Sequence, residues 1–256
     1  MTTPSFDAII VGSGASGSFA ARELTAQGLK VLLLEAGREV TPGDFDPARK
    51  PKNVPPINIA ERALATLGGQ PVQSRAAFFR GMLSRFYVND RDNPYTTPKD
   101  APFVWIRGRQ AGGRTHTFGR VLLRWTDDDF KALSRTGRGA DWPISYADLE
   151  PYYDEVETCL GLYGNTDNVE SLPDGKYKAP AKLSPAEEQF KQAVETRWPE
   201  RHVVAWRSIA PEPSRVLRPM QEAKATGNLT IRYNAIARRV LADGQRATGV
   251  EVIDAL

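Results

Sequence analysis

Gly12-Ser13-Gly14-Ala15-Ser16-Gly17 fits G-x-G-x-x-G, a spacing that lets a chain hold a pyrophosphate. Gly12 permits a tight turn out of a strand. Gly14 has no Cβ, so backbone can come close to phosphate oxygens, and Gly17 lets the next helix sit against the sheet. The helix N-terminus then offers N–H groups and partial positive charge to the phosphates. Glu35 stands 35 − 17 = 18 residues past the last glycine, at the end of an apolar run. A carboxylate there can accept hydrogen bonds from ribose hydroxyls and repels a 2′-phosphate, which argues against NADP. FAD and NAD share this unit, so the fingerprint alone leaves both open.

A second cluster lies at Trp105–Arg120. Gly112-Gly113 gives another place for close approach to a ligand, and Arg107, Arg109, Arg114, Arg120 and Arg124 crowd around it. The plain expectation for several of these arginines is surface pairing with Asp127, Asp128 and Asp129. A nucleic-acid stripe is disfavoured, because 34 Lys+Arg against 31 Asp+Glu leave a net charge of only +3.

Elements must hold these groups in place. Phe6–Val11 predicts a strand buried on both faces, Ser18–Gln27 a helix stopped at Gly28, and Lys30–Leu34 a second buried strand. Strand, glycine turn, helix, strand and acid in register make a dinucleotide-binding unit. No third strand follows directly. Pro42, Pro47, Pro51, Pro55 and Pro56 mark a long excursion with a short helix over Ile57–Leu67 and a loop from Asn93-Pro94 to Pro102. Tyr146–Leu160 predicts a helix that packs Leu149, Tyr152, Tyr153, Val156 and Leu160 on one face. Ser184-Pro185-Ala186-Glu187 opens another, with Phe190, Ala193 and Val194 as its buried side. Leu229–Tyr233 predicts a strand. Ala235–Leu241 and Ala247–Val252 predict a pair around Asp243-Gly244.

Composition narrows the classes. A hydrophobic share of 41% and a charged share of 25% are those of an ordinary globular chain of one large or two modest domains. Cys159 is the sole cysteine, and His116 and His202 are the sole histidines, which excludes a cysteine-rich metal site and any internal disulfide. Apolar runs are too short to span a bilayer, and Met1–Asp7 shows no secretory leader, so the expectation is a cytoplasmic protein with no metal.

Three segments in order carry a resemblance. Asp7–Gly37, with its VGSGASG turn and LLLEAG ending, Arg109–Thr115, which fits R-x-x-G-G-x-[ST], and Asp141–Tyr153 together resemble glucose–methanol–choline (GMC) flavoprotein oxidoreductases. The third segment is similar to the sugar-oxidising branch, with its pyranose oxidases and gluconate-type dehydrogenases. The resemblance implies an α/β class: a Rossmann-like FAD-binding fold with a parallel sheet, a small antiparallel sheet and inserted substrate-domain segments. It divides the chain into a first βαβ unit (1–40), a surface excursion (41–100), a flavin-side loop (101–125), part of a substrate domain (126–228) and a return to the FAD-binding domain (229–256).

FAD is the implied cofactor. Gly12, Ser13, Gly14, Ala15, Ser16 and Gly17 would serve the pyrophosphate, Glu35 the ribose, Gly113 and Thr115 the flavin side, and backbone near Ala237 the adenine. Ala36, Arg109, Gly112 and His116 join this cofactor-binding set. The implied reaction oxidises an alcohol CH–OH, on a sugar or glycoside, by hydride transfer to flavin N5 with an unidentified electron acceptor. The late catalytic histidine of such enzymes, paired with a second His or an Asn, is not matched here, so the chain reads as an N-terminal portion whose partner is the C-terminal half of the same enzyme. Where relatives link FAD through a histidine of this loop, it follows the second glycine by four positions. His116 follows Gly113 by 116 − 113 = 3, and Thr117 holds the fourth, which implies a histidine near the flavin without a covalent bond. Two rival readings are an FAD-binding module without turnover and an NAD-dependent dehydrogenase with insertions.

Overall fold

A computed structural model describes residues 5–45, 59–77, 79–212 and 216–255, apart from the Met82 side chain. Pro47, Pro51, Pro55, Pro56 and Ile57 lie outside the described residues. The chain divides into two compact units, residues 1–118 with 212–256, and residues 119–211.

The first unit is built on β1 (Ala8–Val11), α1 (Ala15–Ala26), β2 (Val31–Leu34) and β3 (Leu229–Arg232). The three strands form a parallel sheet in the order β1-β2-β3, with Ala8 opposite Val31 and Val31 opposite Leu229. β2 is central, and its Val31, Leu33 and Leu34 are fully enclosed. The third strand arrives only after the long excursion, as the absence of an early third apolar run implies. α1 ends at Gly28, whose φ of +84° suits a residue without a Cβ.

One expectation is corrected at β1. Ile10 packs into the core, whereas Ile9 and Val11 point to the other side, and Val11 is 59% exposed. An edge strand with helices over one face buries only alternate residues. The covering helix that accompanies α1 is α7 (Arg218–Ala225), which the sequence reading did not anticipate. Met220 and Ala223 of α7 join Ala21 of α1 and Leu33 of β2 in one core, with Ile10, Leu229 and Ile231 against it. Enclosing side chains of this size contributes about 1.5–3 kcal/mol each for the larger ones. α2 (Ile59–Leu67) lies in the excursion, and β4 (Ala235–Asp243) pairs antiparallel with β5 (Arg246–Asp254).

The second unit holds α3 (Asp127–Phe130), α4 (Ala132–Thr136), α5 (Tyr146–Leu160) and α6 (Pro185–Arg197). Ser145 caps α5 and Ser184 caps α6, each in a reciprocal box with Asp148 or Glu187. α5 and α6 fall where the sequence puts them, α3 and α4 were not anticipated, and the buried faces differ from those expected. Phe190 is 62% exposed and α6 encloses no residue, and Tyr152 of α5 also faces solvent. Amphipathic spacing marks which side can be covered and is silent on whether anything covers it.

Charge does much of the enclosing instead. The fully enclosed Arg124 donates from Nε to Glu157 Oε1 at 2.8 Å, and from Nη2 to Glu157 Oε2 and Asp154 Oδ1 at 2.5 Å each. Arg207 reaches Asp174, Asp167 and the Pro173 carbonyl. The expected surface pairing of the arginine cluster with Asp127–Asp129 is thereby revised: Asp127 accepts from Tyr146 N–H, Asp129 caps Thr126, and Asp128 pairs with Arg135. A planar guanidinium with five donors can satisfy two carboxylates at once.

Candidate dinucleotide site

The glycine turn leaves β1 at Gly12, whose φ is +94° and whose N–H donates to Leu34 O at 2.8 Å. A Cβ on Gly17 would drive into the Gly12 carbonyl, so this glycine is demanded by the closeness of turn and helix. A Cβ on Gly14 would meet nothing within 4 Å, so the space beside the turn is open. Gly14 is also the N-cap of α1 and makes no side-chain cap bond. First-turn N–H groups therefore depend on an acceptor from outside the helix, and a phosphate is a natural one.

Glu35 ends β2 and is enclosed. Its Oε2 accepts from Ser13 N–H at 2.9 Å and from Ser13 Oγ at 2.5 Å, while its Oε1 accepts from Gly37 N–H at 2.8 Å. Ser13 Oγ in turn accepts from Gly112 N–H at 2.9 Å. The β2 end and the second glycine loop are stitched further along: Ala111 N–H donates to Arg38 O at 2.9 Å, and Gly37 lies so close to Arg109 and Gln110 that a Cβ there would collide with their backbone. Gly112 and Gly113 both take positive φ, +81° and +52°.

A cavity opens beside these groups. Ser13, Gly112, Thr115 and His116 line it, joined by Met220 and Lys224 of α7 and by Tyr233. Burial, reinforced by Glu39 and Glu35, pushes the Tyr233 phenol up to about 12, so it is a neutral hydrogen-bond donor at ordinary pH. His116 packs against Phe45 and Phe86, its ring centroid 5.3 Å from each. The other expected residues stand apart. The Arg109 side chain bonds Asn93 Oδ1 at 2.5 Å, and Ala237 pairs with Val252 in the β4–β5 ladder. Sequence reasoning missed the α7 lining. Leu217-Arg218-Pro219 followed by Met220 and Ala223, a proline-led helix start with apolar residues three apart, was the available signal.

The residues present fit a dinucleotide with two anionic phosphates: an uncapped helix N-terminus, open space at Gly14 and an enclosed carboxylate at the β2 end. Among the described residues no group of three or more His, Cys, Asp or Glu could hold a metal, and no helix is long and apolar enough to cross a membrane.

Residues 10–67 match the family described as NAD(P)-binding Rossmann-like domain. The chain is 32% identical over 166 residues to the fructose dehydrogenase large subunit of Gluconobacter japonicus, covering 63% of this chain and 28% of that one. It is 27% identical over 267 residues to an oxygen-dependent choline dehydrogenase of Burkholderia pseudomallei (strain K96243), covering 98% of this chain and 42% of that one. Among solved structures, a fungal aryl-alcohol oxidase shares the fold with a TM-score of 0.55 at 15% identity, over 99% of this chain and 43% of that one. The chain thus spans less than half the length of these relatives. The sequence relatives are FAD-dependent GMC oxidoreductases, and this chain is similar to part of them.

Proposed function

We propose that this chain provides the FAD-binding part of an oxidoreductase that oxidises an alcohol CH–OH group, on a sugar or glycoside. The observation that carries the reading is the Gly112–Ser13–Glu35 connection, which ties the β2 acid to the glycine turn and to the second glycine loop, where Ser13 and Gly112 line one cavity. Gly12–Gly17 bind the pyrophosphate, Glu35 with Ala36 the ribose, and Gly112, Gly113, Thr115 and His116, with Arg109 behind them, the flavin side. Backbone near Ala237 reaches the adenine. FAD, when bound, supplies the two-electron acceptor for alcohol oxidation. The chain's own residues bind and orient it and keep water from its enclosed side.

Neither His116 nor His202 matches the late catalytic histidine motif of such enzymes. His116 packs against the stacked Phe45 and Phe86 rings, and His202 is exposed. Proton-handling groups would come from polypeptide corresponding to the rest of the relatives' length, and the electrons would pass to a separate acceptor. A cytoplasmic location belongs to the same proposal. The test is turnover of the full-length protein with an artificial electron acceptor across a panel of sugars, glycosides and simple alcohols. Oxidation that depends on bound FAD is expected. Activity that needs added NAD and no flavin would overturn the reading.

A further inference from the structure

The geometry points to Ser13 as a positioning residue that sets how Glu35 meets the ribose and holds the Gly112–His116 loop against the glycine turn. This inference rests on the FAD reading for its ligand, and on the hydrogen bonds alone for its mechanics.

A carboxylate offers about four acceptor positions. Three on Glu35 are filled: Ser13 N–H and Ser13 Oγ–H on Oε2, and Gly37 N–H on Oε1. Only one remains, on Oε1. Glu35 is therefore half-committed to protein and can serve one ribose hydroxyl without giving up an internal bond. The residue that makes the difference is Ser13. Its N–H would be there with any side chain, whereas its hydroxyl adds the third donor.

The same hydroxyl looks the other way along the chain. Its oxygen accepts from Gly112 N–H, so a single Oγ joins two segments that are 99 residues apart in sequence. The Ser13 backbone is fixed in turn, because Ser18 Oγ reaches both the Ser13 carbonyl at 3.2 Å and the Gly14 carbonyl at 2.8 Å. Ser13 and Glu35 are both enclosed, so water cannot readily replace the bonds. The proton on Oγ has one evident place, on the line to Glu35, since the Gly112 N–H occupies the acceptor side. Donor and acceptor order is thus set along Gly112 N–H, Ser13 Oγ–H and Glu35 Oε2. A flavin-side loop that moved away from the turn would have to abandon its bond to Ser13.

Ser13→Ala removes both bonds with little change of volume. Residue-resolved amide hydrogen exchange on the cofactor-free protein reads the mechanical half. Gly112 N–H should exchange at least tenfold faster in Ser13→Ala. Gly12 N–H, bonded to Leu34 O in the same turn, should keep its rate. FAD dissociation from the holoprotein reads the ligand half and should accelerate roughly tenfold. Ser13→Thr, which keeps a hydroxyl, should restore Gly112 protection at least in part. Unchanged Gly112 exchange in Ser13→Ala would overturn the inference. So would equal acceleration at Gly12 and Gly112, which would mean that the whole turn had loosened. If Gly112 exchange rises while no flavin is bound by either protein, the Ser13 connection stands and the FAD reading fails.

Discussion

The two units solve the same problem, holding irregular backbone in place, by different means. Around the glycine turn the work is done by backbone bonds, small residues and one enclosed carboxylate whose partners are all uncharged. In residues 119–211 it is done by two enclosed guanidinium groups, Arg124 and Arg207, each joined to two carboxylates. The difference follows from what each region must leave free. A nucleotide needs unspent donors and space, so the turn keeps Gly14 open and fills its other donors from within. The Arg124 centre leaves little to spare: Glu157 also accepts from Lys176 N–H at 2.7 Å, and Tyr146 accepts from Arg124 Nη1 at 2.9 Å. Burial alone would lower the Arg124 pKa, but its carboxylate partners outweigh it and raise it. The same guanidinium outweighs burial at Asp154 and lowers that carboxyl.

The comparison breaks most sharply at Arg124. Arg124→Met leaves Glu157 enclosed without its cation, and losing one partner of a buried pair costs about 3–5 kcal/mol. A drop of that size in urea-unfolding free energy is expected, with FAD retention in the first unit much less affected. Gly17→Ala should do the reverse. Its Cβ collides with the Gly12 carbonyl, and forcing the turn aside costs about 1–3 kcal/mol, with loss of FAD binding by isothermal titration out of proportion to the loss of stability.

These two sites also mark how far the sequence could be read. Gly12–Gly17 and Glu35 were legible because the unit is local, with a strand, turn, helix and strand in one stretch. The β3 strand and the β4–β5 pair were legible because alternation and a D-G turn are local as well. The Arg124–Glu157 and Arg207–Asp174 pairs were not, since partners 33 residues apart leave no periodic trace. Exposure was also beyond reach at Val11 and Phe190, because a pattern shows which faces can be covered and no pattern shows the covering layer. Ser13 was visible only as an x in G-x-G-x-x-G. Its bond to Gly112 depends on how the chain returns.

Smaller effects sharpen the picture. Glu35→Gln keeps the shape and removes the charge. A hydrogen bond to a charged acceptor contributes about 1.5–3 kcal/mol, so roughly a tenfold or greater weakening of FAD binding is expected by titration of the apoprotein. At Asp44, hydrogen bonds from Arg38 lower the carboxyl from the ordinary 3.8 to about 2 against a smaller opposing effect of burial, with Thr41 N–H assisting. A depressed carboxyl stabilises the folded state fully above its unfolded pKa, and that contribution fades as pH falls from about 3.8 through about 2. Arg38 is 45% exposed, so the effect on stability is small. Carboxyl NMR should show the Asp44 midpoint rising back toward 3.8 in Arg38→Gln.

The most direct measurement is on the purified full-length protein: its visible spectrum, followed by acid precipitation and identification of what is released. A yellow protein whose flavin appears in the supernatant as FAD, leaving a colourless pellet, is the expected result. A colourless protein that carries tightly bound NAD would contradict the assignment of the glycine turn and the Gly112–His116 loop to a flavin.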